Sequence, residues 1–327
     1  MGGPPRPAAR TVARIVEDAV RVGRFFRISF QRTLRIPDDG RTYPLPPGFG
    51  RFPVRRVRDF AARLPVAWRR RGGVFIAMYQ REALWLAFEG VGWHPVAVQI
   101  GAGGVNAVSG GSWPEKLSEA PQNYLVCPDQ PWLDGINTRR RIVRQFVAMP
   151  LGGGATVEEQ LTGRASRGGI QVRVFDAKPG RFSSTPPRGR SVPDGLPFAH
   201  PANAATMGLG AGGRMRQALY PDPYGVRTWN RAAAGTLEVH ILNAAQFSLV
   251  TGEEMPPTPI SAKTYTDLGL PWFELYDDAL GAVQGSRRLA RVRSTRELDA
   301  RAGKATPEDR VTIAPERVRG IRPGRAR

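Results

Sequence analysis

The chain has 327 residues, of which 41% are hydrophobic and 23% are charged. These proportions exclude a wholly disordered chain and predict a globular fold with a substantial core. The formal net charge of +20 favours a polyanionic partner, but only four of the 48 basic residues are lysine. An arginine excess of this kind, with abundant alanine, glycine and proline, is also typical of a GC-rich genome, so the charge has two interpretations.

Cysteine, histidine and hydropathy patterns restrict the chemistry further. Cys127 is the only cysteine, so neither an internal disulfide nor a cage of cysteine ligands can form. His94, His200 and His240 are far apart in sequence, and no metal site or cofactor is predicted from them. The N-terminus lacks the apolar core of a signal peptide, and no run approaches the ~18 apolar residues that span a bilayer. We therefore expect a soluble, cytoplasmic protein without a transmembrane segment.

The first predicted elements follow a leader rich in proline and glycine over 1–9. Valine and isoleucine recur at helical steps over 10–22, which predicts an amphipathic helix, whereas FFRISF (25–30) predicts a strand. Residues 53–71 place apolar residues at three- and four-residue steps and arginines on the opposite face, which predicts a second helix. That arginine face is either a phosphate-binding surface or an ordinary solvated helix face in an arginine-rich protein.

The middle of the chain is rich in predicted strands. Residues 74–127 contain short runs of β-branched and aromatic residues separated by glycine turns. Their spacing of roughly ten residues is typical of antiparallel strands, as in a sandwich or barrel. Further strands are predicted over 141–149, 168–178 and 236–247, and the capping box TVEE predicts a short helix after Thr156. The expected fold class is α+β, β-rich and mainly antiparallel, with flanking helices.

The remaining segments are less regular. Residues 179–206 are rich in proline, serine and glycine, which predicts a long exposed loop. The pattern over 207–220 predicts a glycine loop that leads into a short helix, and 262–278 predicts a short helix followed by an aromatic anchor. Residues 286–327 hold 13 basic and 5 acidic residues with few apolar ones, which predicts a disordered basic tail. A single domain is therefore expected over 10–285.

The densest group of polar side chains lies over 127–163. Asp129 or Asp134, together with Glu159, would supply the two carboxylates that a hydrolase or transferase uses as acid and base. The same oxygens could instead hold Mg²⁺ or Ca²⁺, although their spacing is not that of an EF-hand. Trp132 could stack on a sugar or a base. The alternative is structural, since Asp before glycine forms turns, tryptophan anchors cores and Glu159 closes a capping box.

A second candidate site is the glycine-rich stretch GLGAGGRMRQ (208–217). Glycine amides and a following helix N-terminus can bind an anion, which Arg214 and Arg216 would then complete. No GK[ST] follows the glycines, so the stretch is not a Walker A loop. The alternative is a glycine loop that only allows backbones to pack closely.

Three function hypotheses follow from these patterns. The first is a binding protein for a small or polymeric ligand, anionic ligands included, in a cleft between 127–163 and 207–217. The residues that would line this cleft are Gln130, Trp132, Arg144, Gln160, Gly212, Gly213, Arg214, Arg216 and Gln217. Gln145 is the other candidate for hydrogen bonding, but successive strand residues point to opposite faces, so only one of Arg144 and Gln145 can line the cleft, and Arg144 is the choice. The second is a hydrolase or transferase that uses the paired carboxylates. The third is an assembly protein that contacts nucleic acid or another polyanion through its basic tail and the arginine face of 53–71.

Several motifs also carry a resemblance. PDQPWLDG, VRQFVAMPLG, EEQLTG and MGLGAGGRMRQ resemble a family of uncharacterised bacterial proteins, and the resemblance covers roughly residues 28–295. It implies no particular activity. After WLDG the family has a single charged residue before glycine, whereas this chain has NTRRR, which makes the entry to the next strand more basic.

Overall fold

The structure is a computed structural model that describes residues 14–183, 206–255, 257–275, 281–304 and 311–321. The strands, numbered in chain order, are β1 Arg14–Val16, β2 Ala19–Val22, β3 Phe26–Thr33, β4 Thr42–Tyr43, β5 Gly48–Arg51, β6 Arg55–Arg56, β7 Val74–Met78, β8 Ala83–Gly90, β9 Val96–Ala102, β10 Val105–Asn106, β11 Leu125–Cys127, β12 Trp132–Leu133, β13 Gly135–Arg139, β14 Ile142–Pro150, β15 Ile170–Asp176, β16 Thr206–Arg216, β17 Gly235–Asn243, β18 Trp272–Leu275 and β19 Val318–Ile321. The α-helices are α1 Val66–Arg71, α2 Val157–Thr162, α3 Ala244–Thr251, α4 Ala262–Asp267 and α5 Thr295–Arg301. Short 3₁₀ helices cover Val57–Arg63, Val226–Thr228, Leu289–Arg291 and Pro315–Arg317.

Within the described ranges, β1 to β17 form one continuous sheet, and β18 pairs with β19 in a second, parallel sheet. Most neighbours in the large sheet are antiparallel, the exceptions being β4 beside β16 and β7 beside β17. The predicted fold class, β-rich α+β with a mainly antiparallel sheet and flanking helices, is confirmed.

The central strands follow the order β2, β3, β8, β14, β16, β17, β15 and β9. The sheet curls around one core because β11, which pairs with β9, leads through a short turn into β12, which pairs with β8. Along β3 and β8 alternate residues enter this core and are fully buried or nearly so: Phe26, Ile28, Phe30, Leu84, Leu86 and Phe88. The intervening residues therefore lie on the outer face of the sheet.

The helix predicted over 10–22 is wrong for its described part, which forms the hairpin of β1 and β2. Glu17 and Asp18 form the two-residue turn, both with positive φ (51° and 55°). Such a turn matches the twist of two antiparallel strands. The valines and isoleucine fit both a helical and an alternating pattern, and pairing with β3 stabilises the strand form.

The helix predicted over 53–71 is broken into two short pieces. A 3₁₀ helix ends before Leu64, which adopts an extended conformation, and α1 starts after Pro65. The residue before a proline disfavours the helical region, so the break is a local effect of the sequence. Trp68 is buried, whereas Arg69 and Arg70 remain exposed.

The glycine loop and helix predicted over 207–220 are also wrong, because residues 206–216 form the long strand β16. Its glycines let neighbouring chain segments approach closely. A Cβ atom at Gly213 would lie 2.3 Å from the carbonyl oxygen of Pro37, and one at Gly212 would lie 2.6 Å from a methyl group of Val147. These glycines therefore serve packing.

The disordered tail predicted over 286–327 is wrong where the structure describes it. Leu289 and Val292 belong to the main core, and α5 begins with a capping box. Ion pairs from Arg144 to Glu297 and from Arg81 to Asp299 fasten the helix to the sheet. Because residues 286–327 have a low apolar content, their sequence pattern gives no indication of these few anchoring contacts. The leader over 1–9 and residues 184–205 of the predicted exposed loop lie outside the described residues.

Candidate functional site

The loop that holds Gln130 is fixed by its own side chain. The amide nitrogen of Gln130 donates to the carbonyl oxygens of Trp132 (3.1 Å) and Ala218 (3.4 Å). Its amide oxygen accepts from the backbone nitrogen of Tyr220 at 2.9 Å. Because Gln130 is buried and these bonds involve two chain segments, it joins the segments and is not placed to select a ligand.

We expect Gln130→Ala to lower the free energy of unfolding by about 2–3 kcal/mol, since it leaves buried backbone groups without partners. Urea denaturation followed by circular dichroism measures this change. Gln246→Ala, a change of the same type at a partly exposed position of α3, is the matched control and should have a much smaller effect. Equal stability of Gln130→Ala and the unmodified protein would contradict this assignment.

Asp134 is buried and belongs to the same network. One carboxylate oxygen accepts from the indole nitrogen of Trp132 at 2.7 Å, and the backbone nitrogen of Asp134 donates to the side chain of Gln217 at 2.9 Å. Burial raises the pKa of Asp134 to about 7, although the bond from Trp132 opposes the shift. The carboxyl group therefore titrates near neutral pH beside a half-buried tryptophan.

Glu159 caps α2, as the sequence predicts. Its carboxylate accepts hydrogen bonds from the backbone of Gly152 (2.8 Å), Gly154 (3.0 Å) and Thr156 (3.1 Å), and from the Thr156 hydroxyl. Burial alone would raise the pKa of Glu159, but these bonds, led by that from the Thr156 hydroxyl, hold it below its ordinary value. The side chain is thus committed to the helix start.

The carboxylates of Asp134 and Glu159 are not brought together. Gly135, next to Asp134, pairs with Gln145 on β14, whereas Glu159 contacts the loop that follows the far end of that strand. The five residue steps from Gln145 to Pro150 span about 17 Å of extended strand. The geometry therefore does not assemble the predicted acid–base or metal pair. Asp129, the other carboxylate considered, is partly exposed in the turn between β11 and β12.

The predicted ligand-binding arginines have protein partners. Arg144 forms two hydrogen bonds with Glu297, at 2.9 and 3.2 Å, and these help to hold the pKa of Glu297 at about 2 against the opposing effect of burial. Arg214 donates to the carbonyl oxygen of Gly40, and Arg216 pairs with Glu274 at 2.6 Å. Arg144 therefore serves a structural ion pair.

The predicted glutamines likewise join chain segments. Gln145 bonds to the backbone of Leu34 and Ile36, and Gln160 bonds to the backbone of Arg293 through both its amide atoms. The segments 127–163 and 207–217 are neighbouring parts of the sheet, with Arg144 paired to Arg214 across β14 and β16. The glutamine contacts and the close packing at Gly212 and Gly213 join the two segments. The side chains that could bind a ligand in a cleft instead serve these connections.

A different set of residues forms an open depression on the outer face. Arg14 on β1 pairs directly with Arg21 on β2, and Arg21 pairs directly with Arg27 on β3. Directly paired residues point to the same face of a sheet, so the three arginine side chains share one face. We call Arg14, Arg21 and Arg27 the arginine ladder. With Val16 and Ala19 they line the depression.

Few acidic groups balance the arginine ladder. Glu89 pairs with Arg27 at 3.0 Å and also with Arg51 at 3.4 Å, so one carboxylate serves two arginines. Arg21 donates to the carbonyl oxygen of Arg24, and Arg14 has no ion pair among the described residues. Like charges that face each other across strands are destabilising. An anion in the depression would relieve that repulsion.

Two tryptophans lie further along the same outer face. Trp85 on β8 pairs with Gln31 on β3, and Trp132 on β12 pairs with Ala87 on β8. Their ring centroids are 6.1 Å apart at an interplanar angle of 63°, and both side chains are half-buried. We call Trp85 and Trp132 the tryptophan pair. Of the residues predicted to bind a ligand, Trp132 lies half-buried on this outer face.

The helix predicted over 10–22 gives no indication of the arginine ladder. In a helix Arg14 and Arg21 are two turns apart on one side, which is typical of an ordinary solvated face. If Glu17 and Asp18 are assigned to a hairpin turn instead, Arg14 and Arg21 become directly paired residues of two neighbouring strands. The signal was therefore present in the turn, although glutamate is an unusual residue for it.

Comparisons with protein-family models, with curated proteins and with solved structures find no match. None of the described helices combines the length and apolar character needed to cross a membrane. Over the same residues, histidine, cysteine and carboxylate side chains form no group of three that could hold a metal ion. Proposals about function therefore depend on the geometry of this chain.

Proposed function

We propose that the protein binds a phosphate-bearing anionic ligand at the arginine ladder. The observation that carries the proposal is the direct pairing of Arg14 with Arg21 and of Arg21 with Arg27 on one face. Arginine presents a planar fork of donors that matches phosphate oxygens. Three such forks on neighbouring strands, about 4.8 Å apart, can contact successive oxygens of one anionic ligand.

The surroundings of the ladder support the same proposal. Ala19 is small and nearly fully buried at the floor of the depression, so the guanidinium groups rise around it. Glu89 pairs with Arg27, whereas Arg21 keeps the guanidinium donors that it does not give to the carbonyl oxygen of Arg24. The sheet holds the strands in register, so the positions of the three backbones are set before the ligand arrives and little ordering is needed on binding.

The test compares two charge-matched double variants. Arg14→Gln with Arg21→Gln removes two charges from the ladder, and Arg69→Gln with Arg70→Gln removes two from the exposed face of α1. With inorganic polyphosphate as the probe, we expect the ladder variant to lose at least tenfold in affinity. The plot of log affinity against log salt concentration should also become shallower, its slope decreasing in magnitude by about two, because roughly one counterion is released for each phosphate contact.

The control variant separates the ladder from general positive charge. The α1 variant should keep most of the affinity, since its arginines lie on another surface. An equal loss in both variants would mean that polyphosphate responds only to net charge, and the proposal would be wrong. A larger loss in the α1 variant would instead support the phosphate-binding face predicted over 53–71.

A further inference from the structure

We infer that the ligand is a single-stranded nucleic acid, with its phosphates on the arginine ladder and its bases stacked on the tryptophan pair. This inference rests on the proposed function and adds the chemical class of the ligand. Positive grooves combined with aromatic side chains are typical of proteins that bind single strands, because every base offers a flat face for stacking.

The two groups of side chains share one surface. Arg27 and Gln31 are four residues apart on β3 and therefore point to the same face. Trp85 pairs with Gln31, so it lies on that face as well. Trp132 pairs with Ala87, which in turn pairs with Ser29 on β3. From strand spacing and rise, both tryptophans lie roughly 12–14 Å from Arg27, a distance that a few linked nucleotides can span.

The ion pair of Glu89 and Arg51 links the row of the ladder to the row of Trp85, since Glu89 pairs with Arg27 and Arg51 pairs with Gln31. Glu89 pairs with Arg27 and Arg51, which sit on opposite sides of Ser29 along the outer face. A phosphate that replaced the Glu89 carboxylate would meet both arginines, so the same anionic contacts continue from the ladder towards the tryptophans. A single-stranded nucleic acid, in which phosphates alternate with bases, can follow this surface from the ladder to the tryptophan pair.

The polar groups beside the tryptophan pair favour a base over a sugar. Sugar recognition uses side chains that hydrogen-bond hydroxyl groups next to the stacked ring. Here the Gln31 amide nitrogen donates to Ser29 at 2.9 Å, and Asp134 accepts from Trp132 at 2.7 Å. Ala87 on β8, which lies between Ser29 and Trp132, offers no side-chain hydrogen bond. The Gln31 amide nitrogen and the Asp134 carboxylate are thus engaged with protein groups, which suits a stacked base, and a duplex would hide its bases from the rings.

The experiment measures affinity for a short oligothymidylate and for an abasic strand of equal length and charge. We expect the base-bearing strand to bind at least tenfold more tightly, since stacking of its bases on aromatic side chains adds to the phosphate contacts that both strands share. Trp85→Leu should reduce this ratio towards one. The matched control is Trp93→Leu, at a half-buried tryptophan whose indole nitrogen donates to Ser183, and it should keep the ratio.

The outcomes separate the two proposals. If both strands bind the unmodified protein equally and the ladder variant weakens both, the inference is wrong and the proposed function stands. If neither strand nor polyphosphate binds, both are wrong. Thermal unfolding checks that Trp85→Leu remains folded. Quenching of tryptophan fluorescence by oligothymidylate but not by the abasic strand, in the unmodified protein, tests stacking without any variant.

Discussion

Replacing Arg32 with methionine should lower the free energy of unfolding by about 3–5 kcal/mol, because it leaves the Glu82 carboxylate buried without its partner. Both side chains are 2% exposed, and the Arg32 Nε atom donates to Glu82 at 2.9 Å. Glu82 also accepts from the backbone nitrogen of Tyr79 at 2.9 Å, and Arg32 lies over the ring of Phe52. Urea denaturation measures the change.

The cause is testable with a double variant and with pH. Arg32→Met combined with Glu82→Leu removes both charges and should recover much of the loss, since apolar replacement of a buried pair is often neutral. Burial already raises the pKa of Glu82 in the folded protein. The decrease in the free energy of unfolding caused by Arg32→Met alone should therefore be largest at neutral pH. It should shrink as pH falls towards about 4, where the Glu82 carboxyl group is protonated in the unfolded chain as well. A loss that does not vary with pH would contradict this explanation.

Replacing Asp134 with asparagine should remove a large pH dependence of stability. The folded pKa of Asp134 is raised to about 7, against about 3.9 in an unfolded chain. The folded state then holds a proton that the unfolded state releases, so this contribution is complete below pH ~4 and is lost as pH rises through about 7. At 1.36 kcal/mol per pKa unit, the loss is about 4 kcal/mol.

Asparagine keeps an oxygen that can accept from Trp132 but does not ionise. We expect Asp134→Asn and the unmodified protein to be similarly stable near pH 4, and the variant to be more stable by about 4 kcal/mol above pH 8. Thermal and urea unfolding across this range measure the difference. Asp267→Asn, at a largely exposed position, is the control and should leave the pH profile unchanged. A constant difference between Asp134→Asn and the unmodified protein would contradict the raised pKa.

The strands and the capped helix could be predicted because their signals are local. Alternation and β-branched residues identify β14 and β15, and the Thr156–Glu159 spacing identifies the start of α2, with both reciprocal bonds present. The aromatic anchor after α4 is also confirmed, with Trp272 fully buried. In each case the pattern of neighbouring residues is enough to indicate the element, and the distant contacts agree with it.

The errors arise where distant partners decide the outcome. The sequence of β16 is rich in glycine, which disfavours a strand, yet pairing with β14 and close packing by Pro37 and Val147 impose one. Polar residues over 127–163 suggested a site because their partners, such as Tyr220 and Glu297, are far away in sequence. Polar density alone cannot distinguish a binding site from a junction between chain segments.

The location of the anion site is tested most directly by chemical footprinting of arginines. An arginine-selective dicarbonyl reagent is applied with and without polyphosphate, and modification at each position is measured by mass spectrometry. The proposal predicts protection of Arg14 and Arg21 by polyphosphate, with the exposed Arg58 and Arg216 unchanged. Protection confined to Arg214 and Arg216, or to the arginines of α1, with Arg14 and Arg21 still fully reactive, would contradict it.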